Sequence, residues 1–119
     1  MPKSGSAADD DAPGKMADHF FSPEARLDLL EIWEHIAADD LDAADRVERE
    51  IQQTVSMLVR TPGLGHLRRD LTSKPVRFWP IYSYLIIYDP ETRPLEVVRI
   101  LSGYRDIAAL LKQGLKPTG

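Results

Sequence analysis

The chain has 119 residues and no cysteine, which excludes disulfide bonds and thiolate metal sites. Its three histidines, His19, His35 and His66, lie far apart without zinc-ligand spacing, so we expect neither a metal nor a cofactor. No apolar run approaches the roughly 20 residues that a membrane helix needs. The N-terminus also lacks the apolar segment of a signal peptide. We therefore expect a cytoplasmic protein that does not bind a membrane.

The charges are distributed unevenly along the chain. The formal net charge is −4, and residues 16–59 carry eleven acids against three arginines, a net charge of −8. Residues 60–119 carry ten Lys and Arg against five acids, a net charge of +5. The C-terminal half is therefore the part expected to face an anionic partner.

The composition predicts one folded domain with short tails. Hydrophobic residues make up 43% of the chain and charged residues 29%, which is typical of a globular domain. Residues 1–15 consist largely of Gly, Ser, Ala, Pro and Asp without periodicity, which predicts a disordered N-terminal extension. We expect a single domain over residues 16–113 and a C-terminal tail over 114–119.

Two helices are predicted in the acidic half. Ser22-Pro23-Glu24 is a strong helix start, with Ser as N-cap and Pro in the first helical position. Ala25, Leu29, Ile32, Trp33 and Ile36 then form one apolar stripe, and the helix should end near Ala38. Charged residues, Asp28 among them, fall off this stripe. The second helix follows the turn at residues 39–42 and stops before Pro62-Gly63, with its stripe at Ala44, Val47, Ile51, Val55 and Leu58.

Four runs predict strands, and a third helix follows them. The runs are Ala17–Phe21, Val76–Trp79, Tyr84–Tyr88 and Leu95–Leu101, and a loop with two prolines separates the last two as in an antiparallel hairpin. The first strand is expected at an edge of the sheet or beside Val76–Trp79. Tyr104–Lys112 predicts a short helix. The fold class is therefore α+β, with an N-terminal strand, an antiparallel helical hairpin on a small antiparallel sheet, and a short C-terminal helix.

The order and spacing of several short motifs resemble a known family. Ser22-Pro23-Glu24-Ala25 opens a helix that contains Ile32-Trp33, and Pro62-Gly63-Leu64-Gly65 follows the second helix. The strands carry Tyr84-x-Ile86-x-Tyr88 and then VRILxGxRD over residues 98–106. Over about residues 19–111 this pattern resembles the ParE branch of the RelE/ParE toxin superfamily. The resemblance implies a toxin of a type II toxin–antitoxin pair that forms a hetero-oligomer with a ParD-like antitoxin, which wraps over its apolar groove and sheet.

The resemblance also bears on the target, because ParE members are described as DNA gyrase poisons whereas RelE members cleave mRNA on the ribosome. Cleavage by the 2′-hydroxyl needs a base, an acid and cations near the phosphate. The arginine of the ribonuclease branch falls at Leu85, its terminal tyrosine near Ala109, and its frequent histidine at Ser102. We therefore favour a gyrase-directed toxin that is not an enzyme. A ribosome-dependent endoribonuclease and an inactive antitoxin-binding relative remain the alternatives.

The candidate site residues are arginines and aromatic residues of the basic half of the chain. The weak candidates for catalysis are Arg77, Arg99, Tyr104 and Arg105. The candidates for contact with the target or antitoxin are Arg68, Arg69, Arg77, Trp79, Tyr84, Tyr88, Arg99, Tyr104 and Arg105. Pairing of Arg77 or Arg99 with acids on the helices is the alternative explanation, and Trp79 suits the core equally well. The loop cations are too sparse for a nucleic-acid patch, so we expect no direct DNA binding.

Overall fold

The computed structural model describes residues 18–103 and 106–114. Its elements are β1 (His19–Phe21), α1 (Pro23–Ala37), α2 (Leu41–Arg60), a 3-10 turn (Pro62–Leu64), β2 (Arg77–Ile81), β3 (Tyr84–Asp89), β4 (Leu95–Ser102) and α3 (Ile107–Gly114). The predicted element order and the α+β class are confirmed. The N-terminal extension, most of the C-terminal tail, Tyr104 and Arg105 lie outside the described residues.

Each helix of the hairpin begins at a side-chain cap. Ser22 Oγ accepts a hydrogen bond from the Ala25 N–H at 3.0 Å, and Pro23 takes the first helical position. Asp40 Oδ1 accepts a hydrogen bond from the Ala43 N–H at 3.0 Å, so Asp40 is the N-cap of α2. Both caps satisfy N–H groups that have no partner inside the helix. The local sequence therefore sets where α1 and α2 start.

The four strands form one mixed sheet in the order β1-β4-β3-β2. The pairs β2–β3 and β3–β4 are antiparallel as predicted. β1 lies at an edge of the sheet, which is one of its two predicted positions. It pairs with β4 in parallel, with Phe20 opposite Glu96, so the sheet is mixed and not antiparallel throughout as predicted. The long connection through α1, α2 and two strands supplies the crossover that a parallel pair requires.

Both faces of the sheet are covered. The face with Ile86 and Tyr88 packs on the α1–α2 hairpin, in a core that includes Ile51 and Val55. The opposite face with Ile87 packs on α3. From the sequence, either the Tyr84, Ile86 and Tyr88 side of β3 or its Leu85 and Ile87 side could face the helical hairpin. In the structure the tyrosine side faces it. No helix among the described residues is long and apolar enough to cross a membrane.

Candidate functional site

The loop after α2 is built around the phenol of Tyr88. The Tyr88 hydroxyl donates to the Pro62 carbonyl at 2.6 Å and accepts the Gly65 N–H at 2.8 Å. Arg77 Nη1 donates to the Gly65 carbonyl at 2.7 Å. Tyr88 is fully buried, and this burial raises the pKa of its phenol. Of the predicted contact residues, Tyr88 and Arg77 therefore hold the Pro62–Gly65 segment in place.

Gly65 fits this arrangement because it has no side chain. A Cβ added at Gly65 would lie 2.5 Å from Tyr88 Oη, 2.8 Å from Tyr88 Cε1 and 3.0 Å from Arg77 Cβ. A Cβ at Gly63, two residues earlier, would meet no atom within 4 Å. The second glycine of the Pro-Gly-Leu-Gly motif is thus required by close packing, and the first is not.

A buried ion pair joins α1 to β4. Arg99 Nε and Nη2 donate to Asp28 Oδ2 and Oδ1 at 2.7 and 2.9 Å, and the Ile100 N–H donates to Asp28 Oδ2 at 3.0 Å. The side chains of Arg99 and Asp28 are only 13% and 7% exposed, and the hydrogen bond to Asp28 raises the pKa of Arg99. Asp28, predicted to lie off the apolar stripe of α1, is buried against β4, where its carboxylate takes the place of a strand partner beyond the end of β1. The pairing explanation of Arg99 matches this geometry.

The same edge of β4 is closed by Ser22. Its N–H donates to the Val97 carbonyl at 2.9 Å and its hydroxyl donates to the Val98 carbonyl at 2.7 Å. The N-cap of α1 therefore continues the hydrogen bonding of β1 and fixes α1 against the sheet. The direction of α1 positions both the ion pair and the groove described below.

A hydrophobic cluster packs between the sheet and α3. Its buried residues are Val76, Phe78, Ile87, Val98, Leu101, Ile107 and Leu111, and Leu71, Leu85 and Leu110 pack against it. Leu85 lies on β3, opposite Leu101 of β4. This cluster supplies neither an acid, a base nor a cation. It is the face that carries the position where ribonuclease relatives are expected to place an arginine.

A shallow groove of about 360 Å³ lies on the outer side of the helical hairpin. Its apolar lining is Phe21, Leu29, Leu30 and Trp33, and its polar lining is Arg26, Glu48 and Gln52. Leu30 is 51% exposed, which is high for a large apolar side chain beside other apolar groups. The Trp33 indole is fixed by its Nε1–H, which donates to Asp45 Oδ1 at 2.9 Å. Trp33 was predicted as core, and it forms a half-buried wall of this groove.

The remaining predicted contact residues are not brought into one site. Arg68 is paired with Asp70 at 2.8 Å and Arg69 is exposed in the same loop. Trp79 is half-buried and stacks on His66, with ring centroids 6.4 Å apart and planes 2° apart. Tyr84 is half-buried and packs toward the hairpin core. Their contact roles stay predictions.

Sequence reasoning missed Asp28, Gly65 and Leu30. Asp28 lies four residues before Ile32 and three after Ala25, so its helical spacing already placed it beside the stripe. The requirement for Gly65 depends on Tyr88, 23 residues away, and had no local signal. Leu30 lies off the main stripe of α1, and an apolar residue at such a position could have indicated a partner surface.

These features define a small α+β domain with an apolar groove on its helices and a hydrophobic cluster between its sheet and α3. No group of three or more His, Asp or Glu side chains within the described ranges is arranged to hold a metal ion. The family model for the ParE toxin of type II toxin–antitoxin system, parDE, matches residues 20–107. The chain therefore belongs to the ParE toxin family.

The chain is similar in fold to a solved structure of a toxin–antitoxin system. It is described as a chromosomal ParDE TA system from P. aeruginosa, and the alignment has a TM-score of 0.59 at 17% sequence identity. The match covers 71% of this chain and 92% of the other chain. At this identity the likeness concerns the fold. No curated protein sequence matches the chain.

Proposed function

We propose that this ParE toxin inhibits DNA gyrase by protein–protein contact and does not cleave RNA. The observation that carries the proposal is the hydrophobic cluster between the sheet and α3. Leu85 lies there among Phe78, Ile87 and Leu101, where a ribonuclease needs groups that move a proton or stabilise a phosphate. A leucine cannot do either. Growth inhibition then depends on binding and requires no chemistry.

The two arginines of the sheet support the same conclusion. Arg99 is bound bidentately by Asp28 of α1, and Arg77 donates to the Gly65 carbonyl of the loop. Neither guanidinium acts as a general base, because arginine stays protonated. Both guanidinium groups are held by contacts on other elements. A ribonuclease site would need them to turn toward one phosphate.

We further propose that a ParD-like antitoxin neutralises the toxin by covering the groove on α1 and α2. Leu30 and Trp33 supply apolar area to its lining, and Arg26 and Glu48 supply charges. A hydrophobic centre with a polar rim is the usual composition of a protein interface. An amphipathic helix of the antitoxin fits this surface by placing its apolar stripe on Leu30.

The gyrase proposal is tested with purified proteins. Supercoiling of relaxed plasmid by gyrase is measured with increasing toxin, and then again after addition of the cognate antitoxin. We expect the toxin to inhibit supercoiling and the antitoxin to restore it. Normal supercoiling at a large excess of folded toxin over gyrase would contradict the proposal.

The groove proposal is tested with a matched pair of leucines. Leu30→Glu places a charge in the apolar lining of the groove, whereas Leu41→Glu places one on a leucine that is 61% exposed at the start of α2. We expect Leu30→Glu to weaken antitoxin binding about 10- to 100-fold, as for a central interface residue, and Leu41→Glu to change it little. Equal effects of both substitutions in calorimetric titration would exclude the groove.

A further inference from the structure

A second cleft, of about 430 Å³, lies at the opposite end of β3 from the β2–β3 turn. It separates the loop after α2 from the loop between β3 and β4. Arg69, Arg77 and Arg93 line it from three different segments, and Glu91 is its acidic residue. The cleft therefore brings three guanidinium groups and one carboxylate together, and its side chains carry a net positive charge.

Among the described residues, none of these three arginines forms an ion pair with a carboxylate. Arg77 Nη1 donates to the Gly65 carbonyl at 2.7 Å, and Arg93 Nη1 donates to the carbonyls of Pro90 and Thr92 at 2.9 and 2.7 Å. Backbone carbonyls orient a guanidinium but leave its net charge in place. Within residues 18–103 and 106–114, the arginine ion pairs are Arg68 with Asp70 and Arg99 with Asp28, outside this group of three.

The walls of the cleft are rigid and partly apolar. Three prolines and Leu67, which is 42% exposed, contribute to its lining. Pro62 is fixed by the hydrogen bond of its carbonyl to Tyr88, and the adjoining Gly65 by its N–H. A guanidinium held in advance loses less rotational freedom on binding. The apolar walls in turn can contact the aliphatic part of a bound side chain.

We propose that this arginine cleft binds an acidic peptide segment of a protein partner. Each guanidinium retains N–H groups on its Nε and Nη2 side, and such a fork matches the two oxygens of a carboxylate. Two of the three arginines, at positions 69 and 93, are exposed and accessible to it. The ligand is thus a short chain with two or more Asp or Glu residues whose carboxylates meet separate arginines.

The surroundings favour a peptide over a nucleic acid. The chain carries nineteen Asp and Glu against fifteen Lys and Arg, and a long polyanion that extends beyond the cleft would meet the acidic residues of α1 and α2. The lining contains no aromatic side chain on which a base could stack. The cleft shares no residue with the groove on α1 and α2. The cleft is therefore a second surface, separate from the proposed antitoxin groove.

The test uses the full chain and a fluorescein-labelled peptide of about eight residues in which Glu and Ala alternate. A second peptide with Gln in place of every Glu controls for charge. Fluorescence anisotropy is measured with the original protein, with the double variant Arg69→Gln/Arg93→Gln, and with Arg46→Gln/Arg49→Gln. The last variant removes two exposed arginines of α2 and so matches the change in net charge. Unlabelled single-stranded DNA of equal charge serves as competitor.

We expect the Glu peptide to bind and the cleft variant to weaken binding about tenfold or more, since each charge-assisted hydrogen bond is strong. The α2 variant should weaken it less than about threefold through long-range charge alone. Equal losses in the two variants, no binding of the Glu peptide, or equal binding of the Gln peptide would overturn the proposal. The proposal would also be overturned if DNA displaced the labelled peptide at a lower concentration than the unlabelled Glu peptide does. That result would assign the cleft to nucleic acid. As a control, both variants should unfold at the same temperature as the original protein, which excludes misfolding as the cause of weaker peptide binding.

Discussion

Substitution of Gly65 by alanine should destabilise the protein, and substitution of Gly63 should not. The added methyl group at Gly65 would lie 2.5 Å from Tyr88 Oη and 3.0 Å from Arg77 Cβ. Overpacking of this kind costs about 1–3 kcal/mol. Displacement of the Tyr88 hydroxyl also weakens its hydrogen bonds to Pro62 and Gly65, each worth about 1 kcal/mol. We therefore expect Gly65→Ala to lower the free energy of unfolding by about 2–4 kcal/mol.

The assay is urea denaturation followed by circular dichroism, with Gly63→Ala as the matched control in the same loop. Gly63→Ala should change the free energy of unfolding by no more than about 0.5 kcal/mol, because nothing opposes its methyl group. Tyr88→Phe removes the nearest opposing atom, so Gly65→Ala should cost about 1 kcal/mol less in that background. If Gly63→Ala and Gly65→Ala were equally destabilising, or if the Tyr88→Phe background left the cost unchanged, the packing argument would be wrong.

Three further substitutions test the elements that position the site. Asp28→Asn leaves the largely buried Arg99 guanidinium without its counter-charge, so chemical denaturation should show a loss of about 3 kcal/mol. Ser22→Ala removes the cap of α1 and the donor to Val98, and should cost about 1–2 kcal/mol in the same measurement. Burial and nearby carboxylates raise the pKa of Glu96 in the folded state. The folded-state pKa of Glu96 exceeds its unfolded-state pKa of about 4.3. The free energy of unfolding therefore falls as the pH rises from the unfolded-state pKa to the folded-state pKa. Glu96→Gln should therefore raise the melting temperature at pH 7 and give no such gain at acidic pH; a gain that is independent of pH would refute this.

Local signals predicted the helices well and the sheet only in part. Ser22 and Pro23 fixed the start of α1, and the Pro62-Gly63 pair marked the end of α2. The direction of β1 was not accessible from its three residues, because a short strand pairs equally well in either direction until its neighbour is known. Which side of β3 faces the α1–α2 hairpin was ambiguous in the same way. Both sides of β3 carry large side chains that can be buried, Tyr84, Ile86 and Tyr88 on one and Leu85 and Ile87 on the other, and only the packing of two helical layers decides between them.

The candidate residues divide in a similar way. Leu85 could be identified from the sequence because its departure from the ribonuclease pattern is a single position on a recognisable strand. The roles of Arg77 and Arg99 could not, since each depends on one distant partner, the Gly65 carbonyl and the Asp28 carboxylate. The arginine cleft likewise joins three segments that are separated along the chain. The charge count identified the C-terminal half as basic. It did not show which of its arginines lack a carboxylate partner in the folded protein.

The central claim is that this ParE toxin acts without cutting RNA. Its most direct test is primer extension on cellular mRNA after induction of the toxin without antitoxin, with a RelE-type ribonuclease as positive control. The hydrocarbon surroundings of Leu85 predict growth arrest with intact transcripts. Codon-specific cleavage that appears as growth stops would contradict the claim.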